Sequence, residues 1–154
     1  MSNIGDLAQE IFDHEFDSDT EVATVSSISG WLDSHIGNLN TMIHTSFDVV
    51  NGVIEPEADF KNEEKAIYRA MYLKNFNSSM SRKTLQGATK SSDFIQIRDS
   101  DGSMIVRPNK NTAAGAYRSL ASGYDQEIKE LVSAYLSFES KPIQVAGNDA
   151  PSSQ

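Results

Sequence analysis

Three acidic residues at alternate positions, Asp17, Asp19 and Glu21, come nearest in this chain to a chemical motif. A calcium loop presents its oxygen ligands in this alternating way, but it also needs a glycine at its sixth position and a bidentate glutamate at its twelfth. Those places hold Val22 and Ile28, so the segment reads as a solvated acidic link. The histidines offer no metal pair either. His35 and His44 are nine residues apart, off the i, i+4 face that two helical zinc ligands share. The chain has no cysteine, which excludes disulfides, thiolate metal sites and a cysteine nucleophile. None of G-x-S-x-G, H-E-x-x-H, G-x-x-x-x-G-K-[ST] or a strand-borne G-x-G-x-x-G occurs. The plentiful carboxylates cluster in linkers and helix starts, where solvation or capping accounts for them. The residues therefore predict a protein that is not an enzyme and carries neither cofactor nor metal.

Charge is more informative than motifs. The formal charge of −9 is unevenly distributed: residues 1–60 hold twelve acids and no Lys or Arg. Residues 61–118 hold eleven bases against five acids, a local balance of 11 − 5 = +6. This separation allows three uses. The halves can neutralise each other within one monomer, the basic middle can meet the acidic half of a neighbouring copy, or it can meet nucleic acid. A sequence-specific DNA reader is more often basic overall.

The elements that must present these charges follow from periodicity. At 154 residues one domain is expected, burying roughly two-thirds of its unfolded surface. The N-terminus does not read as a signal peptide. The longest apolar runs fall far short of the ~20 residues that span a bilayer, so no membrane association is expected. Apolar spacing predicts a first helix over 3–16 (Ile4, Leu7, Ala8, Ile11, Phe12) and a second over 24–47. Ile28, Trp31, Leu32, His35, Ile36, Leu39, Met42 and Ile43 form the stripe of the second, with Trp31 as a core anchor. Its small face, Ser26, Gly30, Ser34 and Gly37, implies either close backbone approach or a bend near Gly37. Asn51-Gly52 suggests a short hairpin that could join a second one in a small sheet. A third helix, capped by Asp59 or Asn62, should run to about Met80, with 77–92 a frayed end and loop. A fourth is expected over 112–138, with Tyr117, Leu120, Ala121, Tyr124, Ile128, Leu131, Val132 and Tyr135 in register.

Between the last two helices lies the second hairpin, 94–107, marked by Asp101-Gly102. A two-residue loop places Ile97 opposite Val106 and Arg98 opposite Ile105, so that Ile95, Ile97, Met104 and Val106 share a face. Residues 140–154 read as a flexible tail whose one apolar, extended patch is Pro142-Ile143-Gln144-Val145. That patch could add a strand to a neighbour's exposed edge. The fold class is thus mainly α with a small β-hairpin, a four-helix subunit with a long C-terminal helix and an extended tail. The candidate interface residues are Lys65, Arg69, Arg98, Arg107, Pro142, Ile143, Gln144 and Val145.

The order of elements, together with ATVSSISGWLDSHIGNLNT (Ala23–Thr41), NEEKAIYRAMYLKNF (Asn62–Phe76) and SAYLSFESKPIQVAGND (Ser133–Asp149), resembles small virion proteins of tailed bacteriophages. In particular it is similar to the neck, or head–tail connector (adaptor), proteins. The three stretches cover about a third of the chain. The resemblance implies a virion subunit, typically twelve to a ring, that docks on the portal and extends the DNA channel toward tail or stopper proteins. DNA would pass through without specific binding. No catalytic residue is implied. The runner-up reading from the residues is a small helical binding or regulatory module, an assembly chaperone or a nucleic-acid-associated protein.

Overall fold

Asn3 sets the start of the first helix and ties it to the rest of the chain. Its side chain accepts the Gly5 N–H at 2.8 Å, an N-cap bond that satisfies one of the orphan donors of the first turn. Its backbone bridges to Val53, and the Ile4 N–H donates to the Gly52 carbonyl at 2.9 Å. The computed structural model describes residues 3–90, 96–98, 104–106 and 110–140. In order these form α1 (Ile4–Glu15), α2 (Val25–Ile43), β1 (Asp48–Val50), β2 (Val53–Glu55), a 3-10 turn (Glu57–Asp59), α3 (Asn62–Lys90), β3 (Gln96–Arg98), β4 (Met104–Val106) and α4 (Lys110–Glu139). The mainly helical class with a small hairpin and a long last helix is what the sequence predicts.

Several boundaries and faces differ, each for a physical reason. The link after α1 is a folded turn: Asp17 and Ser18 adopt positive φ, and Asp13 accepts from Ser18 Oγ at 2.7 Å and Gln9 Nε2 at 2.9 Å. Helix α2 stops at Ile43, four residues before the expected end, because His44 turns left-handed. Asn40 then fastens the exit, accepting the Phe47 N–H at 2.9 Å and donating to the Phe47 carbonyl at 2.7 Å. No close approach accompanies the α2 glycines, since a Cβ at Gly30 or Gly37 would meet nothing within 4 Å, and the helix runs unbroken through Gly37. Neither Asp59 nor Asn62 caps α3. Lys61 precedes the helix and its N–H donates to Glu64 Oε2 at 2.8 Å, the reach-back half of a capping box.

The first hairpin forms as expected, with Asn51 and Gly52 both at positive φ, as a twist-matched two-residue loop requires. It stays apart from the second, so there are two separate two-stranded sheets. In the second the register is Gln96↔Val106, Ile97↔Ile105 and Arg98↔Met104. This is one residue away from the expected pairing, and a one-residue slip sends each side chain to the opposite face. The expected loop residues, Asp101 and Gly102, lie outside the described residues.

The core is built where α1, α2 and the first hairpin cover the inner half of the α3–α4 pair. Ile11, Ile28, Leu32, Leu39, Ile54, Ile67 and Tyr68 are all buried, and each of the six aliphatic side chains contributes about 1.5–3 kcal/mol of transfer free energy. Aromatic rings join the elements edge to face: Phe47 on Phe60 at 5.3 Å, Trp31 on Tyr72 at 5.5 Å and Phe16 on Phe76 at 4.8 Å. The Tyr68 hydroxyl donates to the Leu32 carbonyl, pinning α3 to α2. Trp31 is half-buried and packs against this core, as an anchor should. Helix α4 shows a 3–4 alternation, Ala114, Tyr117, Ala121, Tyr124, Ile128, Leu131, Tyr135, the seam of a coiled-coil pair. Leu120 lies off that seam and is exposed.

Helix α3 does not fray at Met80 but continues to Lys90. Its polar outer residues face a small-residue partner. Asn77 and Ser81 are buried with Ala114 and Ala121, Ser81 Oγ donates to the Ala114 carbonyl at 3.0 Å, and Asn77 Nδ2 to the Leu73 carbonyl at 2.8 Å. Such bonds satisfy buried polar groups that would otherwise cost more than they contribute. With 29 and 30 residues, α3 and α4 are each about 45 Å long. Outward of Phe76 and Tyr124 the buried residues among those described are only Asn77, Ser81, Ala114 and Ala121. The pair thus extends beyond the body as an arm of about 20 Å. No helix among the described residues is long and apolar enough to cross a membrane.

Candidate functional site

The arm is where the sequence's charge separation becomes spatial. No Asp or Glu occurs in 65–92 or in 102–124, intervals that contain all of α3 beyond Glu64 and the outer half of α4. Arg82, Lys83 and Arg118 are exposed there. The body, by contrast, carries the acids of 1–60, with Glu10, Asp33, Asp48, Glu55 and Glu57 among those at its surface. The result is a chain with a basic arm and an acidic body. The sequence reading counted these bases within its basic middle, 61–118, without singling them out, and by ending α3 at Met80 it left Arg82 and Lys83 in a loop. The signal it could have used was the acid-free interval itself.

The boundary between arm and body is marked by an ionic cluster. Asp125 Oδ1 lies 2.5 Å from Lys74 Nζ, and its Oδ2 lies 2.7 Å from Lys129 Nζ. The hydrogen bonds from Lys129 and Lys74 hold the Asp125 carboxyl down at about 2. One carboxylate therefore links the two helices and also neutralises the bases nearest the core.

The residues singled out from sequence are only partly brought together. Lys65 and Arg69 both sit on the body side of α3, lining a small cleft of about 220 Å³ with Leu7 and Glu10 of α1. Arg69 Nε lies 3.8 Å from Glu15 Oε1 of the same chain, so at this residue the two charged halves meet within one monomer. At this distance and exposure the pair is worth little by itself. Arg98 is placed in β3 opposite Met104. Arg107 and Pro142, Ile143, Gln144 and Val145 lie outside the described residues.

Two larger hollows flank the α3–α4 pair. A cleft of about 490 Å³ is lined by Trp31, His35, Met42, Lys74, Asn75 and Ser78, among others. Trp31 and His35 stack at 4.3 Å, and His35 Nδ1 donates to the Trp31 carbonyl at 2.8 Å. The indole nitrogen is buried without a hydrogen-bond partner, and Lys74 is held by Asp125. The second hollow, about 550 Å³, runs between the start of α3 and the end of α4. Beside it the buried Glu64 bonds to the Tyr135 hydroxyl. Burial, with that carboxylate adjacent, pushes the Tyr135 phenol up to about 12.

Among the described residues no group of three His, Asp or Glu could hold a metal. Asp17, Asp19 and Glu21 are exposed, with Asp19 accepting the Glu21 N–H at 2.8 Å, as in an ordinary acidic turn. The chain matches no protein-family model, no curated protein and no solved structure.

Proposed function

We propose that this chain is a ring-forming connector subunit of a tailed-phage neck, which docks on a portal and continues the DNA channel toward the tail. The observation that carries the proposal is the acid-free basic arm, α3–α4 outward of Ser78, set against an acidic body in the same subunit. A head-to-tail contact between unlike surfaces generates a ring when the rotation closes. An arm that meets the acidic α1–α2 side of the next copy makes such a contact. The protein then acts by shape and stacking, without catalysis or cofactor, and its place is the virion neck. A net charge of −9 suits a channel wall that DNA passes without adhering, since phosphate contacts provide most non-specific affinity.

The acid-free arm also favours a second reading, a small helical module that binds nucleic acid through Arg82, Lys83 and Arg118. Size-exclusion chromatography with light scattering, on the chain alone and mixed with its portal, separates the two. A ring-sized particle in either sample supports the connector. A small species in both samples that retards DNA, with affinity falling steeply as salt rises, supports the second reading and ends the first.

A further inference from the structure

We propose that the cleft between α2 and the α3–α4 pair receives the acidic α1–α2 turn of the next copy, with Val22 as the apolar plug. This names the contact through which connector subunits meet, so it rests on that reading. The cleft, about 490 Å³, is of a size that takes several side chains. Trp31, Met42, Met71 and Ile128 give it an apolar wall. Asn38, Asn75 and Ser78 also line it, and among the described residues their side chains make no hydrogen bond. The lining holds no acid among the described residues, and its one charge is Lys74. Arg82 lies one turn beyond Ser78 on the same side of α3, about 6 Å along the axis. Arg118 shares a side of α4 with Asp125, seven residues on. The cleft is thus an acid-free hollow, apolar within, with bare polar groups and a basic outer end.

The occupant is identified by its charge. Asp17, Asp19 and Glu21 are all exposed, and Val22 beside them keeps 47% of its surface. The turn is already folded: the Val22 and Ala23 N–H groups donate to the Asp19 carbonyl at 3.3 and 3.2 Å, and Ala23 is buried. Val22 is therefore held outward in a fixed geometry, and little ordering is required when it docks. With Val22 against the apolar wall, the three carboxylates face Arg82, Arg118 and the amide and hydroxyl donors of the lining. Complementary charge of this kind selects the partner and fixes the register. A chain's own turn does not reach that wall, because α2 separates Val22 from Met42 by about 30 Å. Turn and cleft are different patches, so each copy gives its turn to one neighbour and takes a turn from the other, the contact a closed ring needs.

The absence of native cysteine allows the contact to be trapped in the full chain. Val22→Cys and Met42→Cys change two exposed residues, and circular dichroism checks the fold. With the portal present and under mild oxidation, the double variant should link copy to copy into a ladder of oligomers. Linking should be at least about tenfold faster than in a control that pairs Val22→Cys with Ser133→Cys, an exposed site elsewhere on α4. Each single variant should stay monomeric on a non-reducing gel. Met42→Glu places an acid on the cleft wall and should lower the yield of rings at least about tenfold. Light scattering on the same samples separates this contact from the reading beneath it. Rings without the ladder, or undiminished rings from Met42→Glu, would overturn the docking of the turn and leave the connector reading standing. Linked dimers from Val22→Cys alone would also overturn it, by setting turn against turn. No ring from the wild-type chain, alone or with the portal, removes the reading and this contact with it.

Discussion

Lys74 of α3 and Asp125 of α4 meet at the point where the body ends and the arm begins. Inward of that contact the pair is packed with Ile67, Met71 and Ile128; outward it is held by Ser81, Ala114 and Ala121. Asp125 is also the first acid after Asp101, so the bond closes the acid-free interval.

Because the Asp125 carboxyl is lowered from 3.8 to about 2 by its two lysines, it binds fewer protons folded than unfolded between those values. Its contribution to stability is complete above about pH 4, falls as pH drops toward 2, and is gone below that. Asp125→Asn should lower Tm modestly at neutral pH in dilute buffer. The difference from wild type should vanish near pH 2 and shrink in molar salt, where screening shortens to about 3 Å. NMR titration of the carboxyl carbon should show a midpoint near 2.

Tyr68→Phe removes the hydroxyl that donates to the Leu32 carbonyl while leaving the buried ring. A loss of about 1 kcal/mol is expected from urea unfolding, since the carbonyl keeps its helical partner. Burial, and the charge of Asp33, also raise the Tyr68 phenol. The folded state therefore holds that proton more tightly, and stability falls as pH rises above 10. In Tyr68→Phe the loss of stability above pH 10 should be shallower, which a series of Tm values checks.

Glycines at different places should respond with opposite signs. A Cβ at Gly30 or Gly37 meets nothing, so each Gly→Ala change should stabilise by about 0.5–1 kcal/mol through helix propensity. Gly52 stands at φ +78, and Gly52→Ala should destabilise by about 1 kcal/mol. Denaturant midpoints measured side by side decide both.

The triple reversal Arg82→Glu, Lys83→Glu, Arg118→Glu changes only exposed arm residues. Stability should stay within about 0.5 kcal/mol of wild type per site, while ring assembly, read by light scattering with the portal present, should be lost. This set is cleaner than reversal of Lys65 with Arg69, which should also weaken assembly if that cluster meets a neighbour. At Arg69 the change would place like charges beside Glu15 within one chain. Intact rings from the triple variant would remove the arm from the interface.

What the sequence determined by itself was local. The 3.6-residue periods of α1, α2 and α4, the Asn51-Gly52 turn and the mainly helical class all follow from propensity and spacing, which neighbouring residues settle among themselves. What only the tertiary structure decided was everything that depends on a partner helix. Residues 77–90 look like a loop because they are polar and small, yet opposite Ala114 and Ala121 small polar residues are what a close helical pair accommodates. The stop of α2 at His44 rests on Asn40 reaching Phe47, and the hairpin register on a pairing one step from the predicted loop. The separation of acidic body from basic arm was present in the composition. It acquired a direction in space only because α1 and α2 cover half of a pair of helices too long for them to cover whole.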